Sequence, residues 1–112
     1  MPKKLNPKKT MIFKVLVDGK PVELRGWQTT PALAIAPDGD KFASVMLLNG
    51  GILERGFASL HLADQFNRAV ASEKKLFPGT PHLLEFYERA GGLGAAKAMI
   101  ERIRKKVESL SQ

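Results

Sequence analysis

The sequence predicts an α+β fold: an N-terminal antiparallel β-meander of four or five strands followed by three α-helices packed on one sheet face. Three observations predict it. Strand-like apolar runs fill the first half of the chain, from Met11 to Phe57. Turn chemistry punctuates them at Asp18-Gly19, Pro37-Asp38-Gly39-Asp40 and Asn49-Gly50-Gly51. From Ser59 onward the apolar period becomes helical, and Pro78-Gly79 and Gly91-Gly92 divide it into three.

Residues 1–10, MPKKLNPKKT, hold Lys3, Lys4, Lys8 and Lys9 and no acid. They read as a flexible basic arm, with residues 11–112 as a single domain. The formal net charge is +7, and removing the arm's four lysines leaves +3, so the domain itself is mildly basic.

Met11 to Arg25 reads as a hairpin on Asp18-Gly19. That turn sets Val17 opposite Lys20, Val15 opposite Val22 and Phe13 opposite Leu24, and the helices are expected to cover the apolar face of Phe13, Val15, Val22 and Leu24. On the other face Lys14 meets Glu23, a favourable cross-strand pair. Both faces therefore agree on one register. Pro21 lacks an N–H, which places its strand at an edge there. Gly26 to Pro31 is a connection holding the single tryptophan, Trp27. It is either an anchor lying over the sheet or a stacking and interface residue.

Ala32 to Asn49 is the longest apolar strand-like run and reads as a second hairpin. A four-residue loop pairs Ile35 with Phe42, and a three-residue loop pairs Ile35 with Lys41. Phe42, Ser44, Met46 and Leu48 share one face of the return strand, with Ala43, Val45 and Leu47 on the other. Both faces are largely apolar, as in a central strand covered on both sides. Ile52 to Phe57 is either a fifth strand, with Leu47 near Ile52 and Met46 near Leu53, or an irregular connection.

Ser59 N-caps a helix expected to reach Phe77. Leu62, Phe66, Ala69, Val70 and Phe77 form its apolar stripe, Ala63 lies beside it, and Asp64, Gln65, Asn67, Arg68 and Lys75 point elsewhere. Thr80-Pro81 starts a second helix, to Ala90, that buries Leu83, Phe86 and Tyr87. The last helix runs from Leu93 or Gly94 to Leu110, with a narrow seam of Ala96, Ile100, Ile103, Val107 and Leu110.

Chemistry is sparse. With no cysteine there is no disulfide or thiol chemistry, which fits a reducing cytoplasm. His61 and His82 stand three residues before Asp64 and Glu85, a spacing common at helix starts and weak as a metal signature. Gly91 to Lys97 is rich in glycine but follows a helix and matches no phosphate-loop spacing, so it reads as a helix–helix turn. No nucleophile elbow or tuned carboxylate is visible. The sequence therefore predicts no catalytic residue, metal or cofactor, and an enzyme would rest on His61 or His82 acting as a base.

In element order, a four-stranded meander followed by a helix resembles the Whirly-type single-strand-binding domains, which use basic sheet surfaces and aromatics. The resemblance implies a nucleic-acid partner. This chain departs from the pattern in having few aromatics on the expected sheet and two further helices.

The charge points the same way. Lys3, Lys4, Lys8 and Lys9 with Arg102, Arg104, Lys105 and Lys106 are the expected phosphate contacts, and Trp27 and Tyr87 the expected stacking or interface residues. The alternative is a protein–protein interaction module, an inhibitor, adaptor or regulatory subunit such as a mobile element carries. Its contacts would be Trp27, Tyr87 and the seam Ile100, Ile103 and Val107. That seam and the apolar run Met46 to Leu48 also suggest a homodimer.

Overall fold

The computed structural model describes residues 6, 8–47, 50–73 and 83–110. Eight elements follow in order: β1 (Met11–Val17), β2 (Lys20–Gln28), β3 (Leu33–Asp38), β4 (Lys41–Met46), β5 (Ile52–Phe57), α1 (Leu60–Ala71), α2 (Leu83–Ala90) and α3 (Leu93–Leu110). The strands form one antiparallel meander in sequence order, and the helices pack against it. The expected α+β architecture is present with five strands.

The β1–β2 register is the expected one throughout, including Val17 with Lys20, Lys14 with Glu23 and Phe13 with Leu24. Asp18 and Gly19 both take positive φ, 52° and 78°, as a two-residue primed turn requires. The β3–β4 hairpin is tighter than either expected loop. Asp38 faces Lys41 directly, and Ile35 pairs with Ser44. Gly39, at φ 65°, makes the two-residue loop feasible. Pro37 falls opposite Phe42, where the alternation of the ladder points its nitrogen away from β4, so its missing N–H costs no bond there. β5 is a strand, but two residues out of the expected register: Val45 faces Ile52, and the ladder shifts again around Ser44. The connection is longer than a tight Asn-Gly turn, because Met46 N–H bonds Gly51 C=O and Leu47 N–H bonds Ala32 C=O before β5 begins.

Gly26 decides how the sheet curls. A Cβ there would lie 2.0 Å from the carbonyl oxygen of Ile35 and 3.1 Å from the Phe13 ring. Only glycine allows that approach. Up to Gly26, β2 pairs with β1; beyond it, Trp27 and Gln28 pair with β3. The β1–β2 hairpin thereby folds across the back of β3 and β4. Leu16 N–H then bonds Gly50 C=O at 2.7 Å, and a parallel bridge joins Leu16 to Gly51, drawing β1 toward the start of β5.

The curl produces two cores. One holds Leu33, Ile35, Met46, Leu53 and Phe57 of the sheet against Leu62, Phe66 and Val70 of α1, Phe86 of α2 and Ala96, Ile100, Ile103 and Val107 of α3. The other holds Phe13, Val15, Ala34, Ala36, Val45 and Leu47, with Leu24 packed beside them. This corrects the expected layering. The helices do not cover the face of Phe13, Val15, Val22 and Leu24; they cover the opposite one. The strand pair carrying Phe13 and Val15 covers the back of the central hairpin itself. β4 is thus buried on both faces, as its composition requires.

The helices differ from expectation at their ends and on one flank. Ser59 caps α1 by accepting from Leu62 N–H at 3.1 Å. The helix stops at Ala71, six residues short of Phe77, with Ser72 N–H and Glu73 N–H bonded back to Arg68 and Val70 carbonyls. Asp64 and Asn67, expected to point away from the core, are buried. The expected caps Thr80 and Pro81 lie outside the described residues, as do Leu48, Lys75, Phe77 and His82. α2 ends in a Schellman motif: Gly92 N–H bonds Tyr87 C=O at 2.8 Å and Gly91 N–H bonds Glu88 C=O at 3.1 Å. Leu110 leaves the seam of α3 and is 74% exposed.

Two glycines should respond oppositely to alanine. Gly26→Ala forces a backbone clash and should cost about 2–3 kcal/mol. Gly94→Ala, in the exposed first turn of α3 with open space around it, should gain up to about 1 kcal/mol. Urea unfolding measures both.

Candidate functional site

The basic stretch of α3 is partly committed to the fold. Arg104 donates to the carbonyls of Arg55 at 2.6 Å and Gly56 at 2.7 Å. Its guanidinium lies 4.4 Å from the Phe57 ring centroid and pairs with Glu54 and Glu108. Lys105 pairs with Glu101 at 3.2 Å, and Arg102 reaches Glu73 at 3.7 Å. Lys106 is exposed. Exposed pairs such as these last two are worth little in water and open readily; Arg104 is held from several sides at once.

Lys8 and Lys9 are exposed and lead into β1, while Lys3 and Lys4 lie outside the described residues. Among the described residues no hydrogen bond or ion pair joins Lys8 or Lys9 to α3, so the structure does not tie the two basic groups together. Trp27 is half-buried, edging the helix-side core with its ring 5.9 Å from that of Phe42. Tyr87 is half-buried beside Phe86. Ile100, Ile103, Val107, Met46 and Leu47 are all buried inside the domain, and Leu48 lies outside the described residues.

Among the described residues, two open grooves bear on the site. The larger, about 630 Å³, lies between the β1–β2 turn, β5 and α2. Leu16, Leu53 and Leu83 are among its apolar lining residues, and Asp18, Glu54, Arg55 and Tyr87 supply polar groups. Arg55 also clamps Asp38 with two bonds of 3.0 Å. Those bonds hold the Asp38 carboxyl below its ordinary pKa, with the Arg55 charge adding to the effect. This exposed pair contributes at neutral pH, and the contribution is lost as pH falls through the lowered value. Burial raises the Tyr87 pKa.

The smaller groove, about 470 Å³, runs beside β1 and is lined by Met11, Ile12, Phe13, Lys14, Gln28, Pro31 and Leu47. Its importance comes from the ladder. Val17 and Lys20 flank a two-residue turn, so they form a hydrogen-bonded pair, and Val15 and Phe13 follow with the same parity. The N–H and C=O groups of Leu16, Lys14 and Ile12 therefore point outward. The Leu16 bond to Gly50 confirms that direction. Among the described residues no hydrogen bond occupies the outward groups of Ile12 and Lys14. Met11 is 36% and Ile12 55% exposed on this edge.

The other free edges are guarded. Arg104 covers two carbonyls of β5, and β2 between Lys20 and Arg25, which has no β3 partner, carries Pro21. Folded proteins block such edges to prevent strand addition. Along β1, Gly50 and Gly51 cover the Leu16 end, and among the described residues the Lys14 side chain is the guard of the remainder.

His61 is exposed and bonded to Gln65, while Asp64 is taken by Arg68 through two bonds of 3.0 and 3.1 Å. No group of three or more His, Asp or Glu side chains is placed to hold a metal among the described residues. No described helix is long and apolar enough to cross a membrane. The Gly91–Lys97 stretch is a helix–helix turn running into α3. Comparison with protein-family models, curated proteins and solved structures finds no match.

Sequence reasoning missed three features. Arg104's bonds reach residues 48 and 49 positions away, which no local pattern signals. The open edge of β1 follows from the turn parity and was legible in Asp18-Gly19. The buried Asn67 donates to Thr29 Oγ1 at 3.0 Å and to Ala34 C=O at 3.1 Å, and receives the Ser44 hydroxyl. Its only sequence signal is a lone serine on an otherwise apolar strand.

Arg104→Met should cost about 2 kcal/mol of stability, and Arg104→Lys should restore less than half, because an ammonium cannot fork between two carbonyls and stack on Phe57. Tyr87 is the only tyrosine, so alkaline absorbance titration reads it alone. Its midpoint should lie above the ordinary 10.0. Because the folded pKa exceeds the unfolded one, Tyr87's contribution to stability is complete below the ordinary value and is lost as pH rises through the folded value.

Proposed function

We propose that this protein is a non-enzymatic protein-interaction module that takes an extended segment of a partner along the outer edge of β1. One observation carries the reading: β1 presents outward backbone groups at Ile12 and Lys14, beside an apolar groove, while the neighbouring edges are covered or interrupted. Strand addition supplies affinity through main-chain hydrogen bonds and specificity through alternate side-chain pockets. The grooves' apolar linings suit a peptide, and Asp18 and Glu54 in the larger one disfavour a phosphate backbone. The proposed setting is the cytoplasm, which a chain without cysteine fits.

A second reading, nucleic-acid binding through phosphate contacts, is supported by the exposed Lys8, Lys9 and Lys106 and the net charge of +7. In this reading Arg104 serves the fold and the exposed lysines make the contacts.

Selection of a displayed library of random decapeptides against the full chain, followed by 1H–15N NMR of the complexes, separates the two. Strand addition predicts selected peptides that shift and protect the amides of Ile12 and Lys14. Failure to select peptides, together with oligonucleotide binding that weakens steeply with salt in fluorescence anisotropy, would favour the second reading.

A further inference from the structure

The open edge of β1 is not electrically neutral. Among the described residues Lys14 is the one charged residue lining the groove beside it, and no carboxylate lines that groove. Lys8 and Lys9 are exposed on the chain that leads into the strand. Glu23, opposite Lys14, is the acid nearest this edge in the ladder, and Arg25 stands opposite Ile12. Arg25 bonds Thr10 Oγ1 at 3.2 Å, holding the segment just after Lys8 and Lys9 against β2. A strand laid along Met11–Val15 would therefore run beside Lys14 at one end and approach Lys8 and Lys9 at the other.

We infer that the partner segment is acidic: an extended stretch alternating apolar residues with glutamate or aspartate, paired on β1 with its carboxylates set against Lys14, Lys9 and Lys8. The inference rests on the strand-addition reading above and names the chemistry of the same site. Charge complementarity favours this occupant. Among the described residues no carboxylate lies within ion-pair distance of Lys8, Lys9 or Lys14, in contrast to Arg104 and Lys105. The apolar residues of such a segment would lie over Met11 and Leu47, on the face opposite to that of Ile12 and Lys14. The same lysine that discourages unselective edge pairing thus selects an acidic partner.

The test uses the full chain and two labelled peptides, (Glu-Val)5 and (Lys-Val)5, in fluorescence anisotropy. (Glu-Val)5 should bind and (Lys-Val)5 should not, and added salt should weaken the binding. Ile12→Pro removes an outward N–H while leaving the β2 ladder intact, and should weaken binding about tenfold. Lys14→Glu, which keeps the backbone, should weaken it by at least as much, and Lys8→Glu with Lys9→Glu should weaken it further. Circular dichroism and the urea midpoint verify that each variant folds, and Lys14→Glu decides the matter if Ile12→Pro does not. Equal binding of both peptides would overturn the acidic preference while leaving strand addition in place. Binding of (Glu-Val)5 unaffected by Ile12→Pro and Lys14→Glu would overturn the site. Self-association in sedimentation that Ile12→Pro abolishes would make β1 a seam between two copies and overturn the proposal. So would binding of an oligonucleotide that displaces (Glu-Val)5 with higher affinity.

Discussion

The contact between the Gly26 backbone and the carbonyl of Ile35 is the constraint on which the molecule depends. It lets one strand serve two partners in succession. Without it, β1 and β2 would extend the meander in one plane, leaving Ala34, Ala36 and Val45 bare. With it, the first hairpin becomes the second layer of the domain. Each large side chain sealed this way is worth about 1.5–3 kcal/mol, so the bend at Gly26 supports the whole Phe13–Val15 cluster. The same bend leaves the outward backbone groups of Ile12 and Lys14 without a hydrogen bond among the described residues.

Polar groups secure the other layer. Asn67 reaches from α1 into the sheet and ties together Thr29, Ala34 and Ser44. A buried amide that finds all these partners fixes the helix in one position, because any slide strands polar atoms away from water. Arg104 plays the equivalent part for α3, anchoring it to β5 across the Phe57 ring. α1 and α3 thus each hold the sheet by one long-range polar contact set within an apolar interface.

Much of this was legible in the residues. The β1–β2 register followed from Asp18-Gly19 because a two-residue loop leaves no freedom. Ser59 and Gly91 marked helix ends through local bonding. The errors arose where local chemistry allowed more than one answer. Pro37-Asp38-Gly39-Asp40 accepts loops of several lengths, and cross-strand packing chose the shortest. The facing of Phe13 and Val15 depended on a close approach at Gly26 that no periodicity reports. Asn67 and Asp64 looked like solvent residues on their helical wheel, yet both are buried, Asn67 among partners from the sheet and its connections and Asp64 under the guanidinium of Arg68 one turn on in the same helix. The candidate surface was half visible: Lys8, Lys9 and Lys14 are plain in the sequence, but their separation from the α3 cations, and the commitment of Arg104, exist only in three dimensions.

Arg104 has a consequence for the growing chain. During synthesis the entire meander leaves the ribosome before residues 93–110 do. Until α3 arrives, the carbonyls of Arg55 and Gly56 lack their guanidinium and Phe57 lacks its cover. A nascent or truncated chain that stops before Arg104 displays a sticky strand margin and an uncovered aromatic. The finished fold is therefore completed from its far end, and premature termination yields a product prone to associate with itself and to engage chaperones.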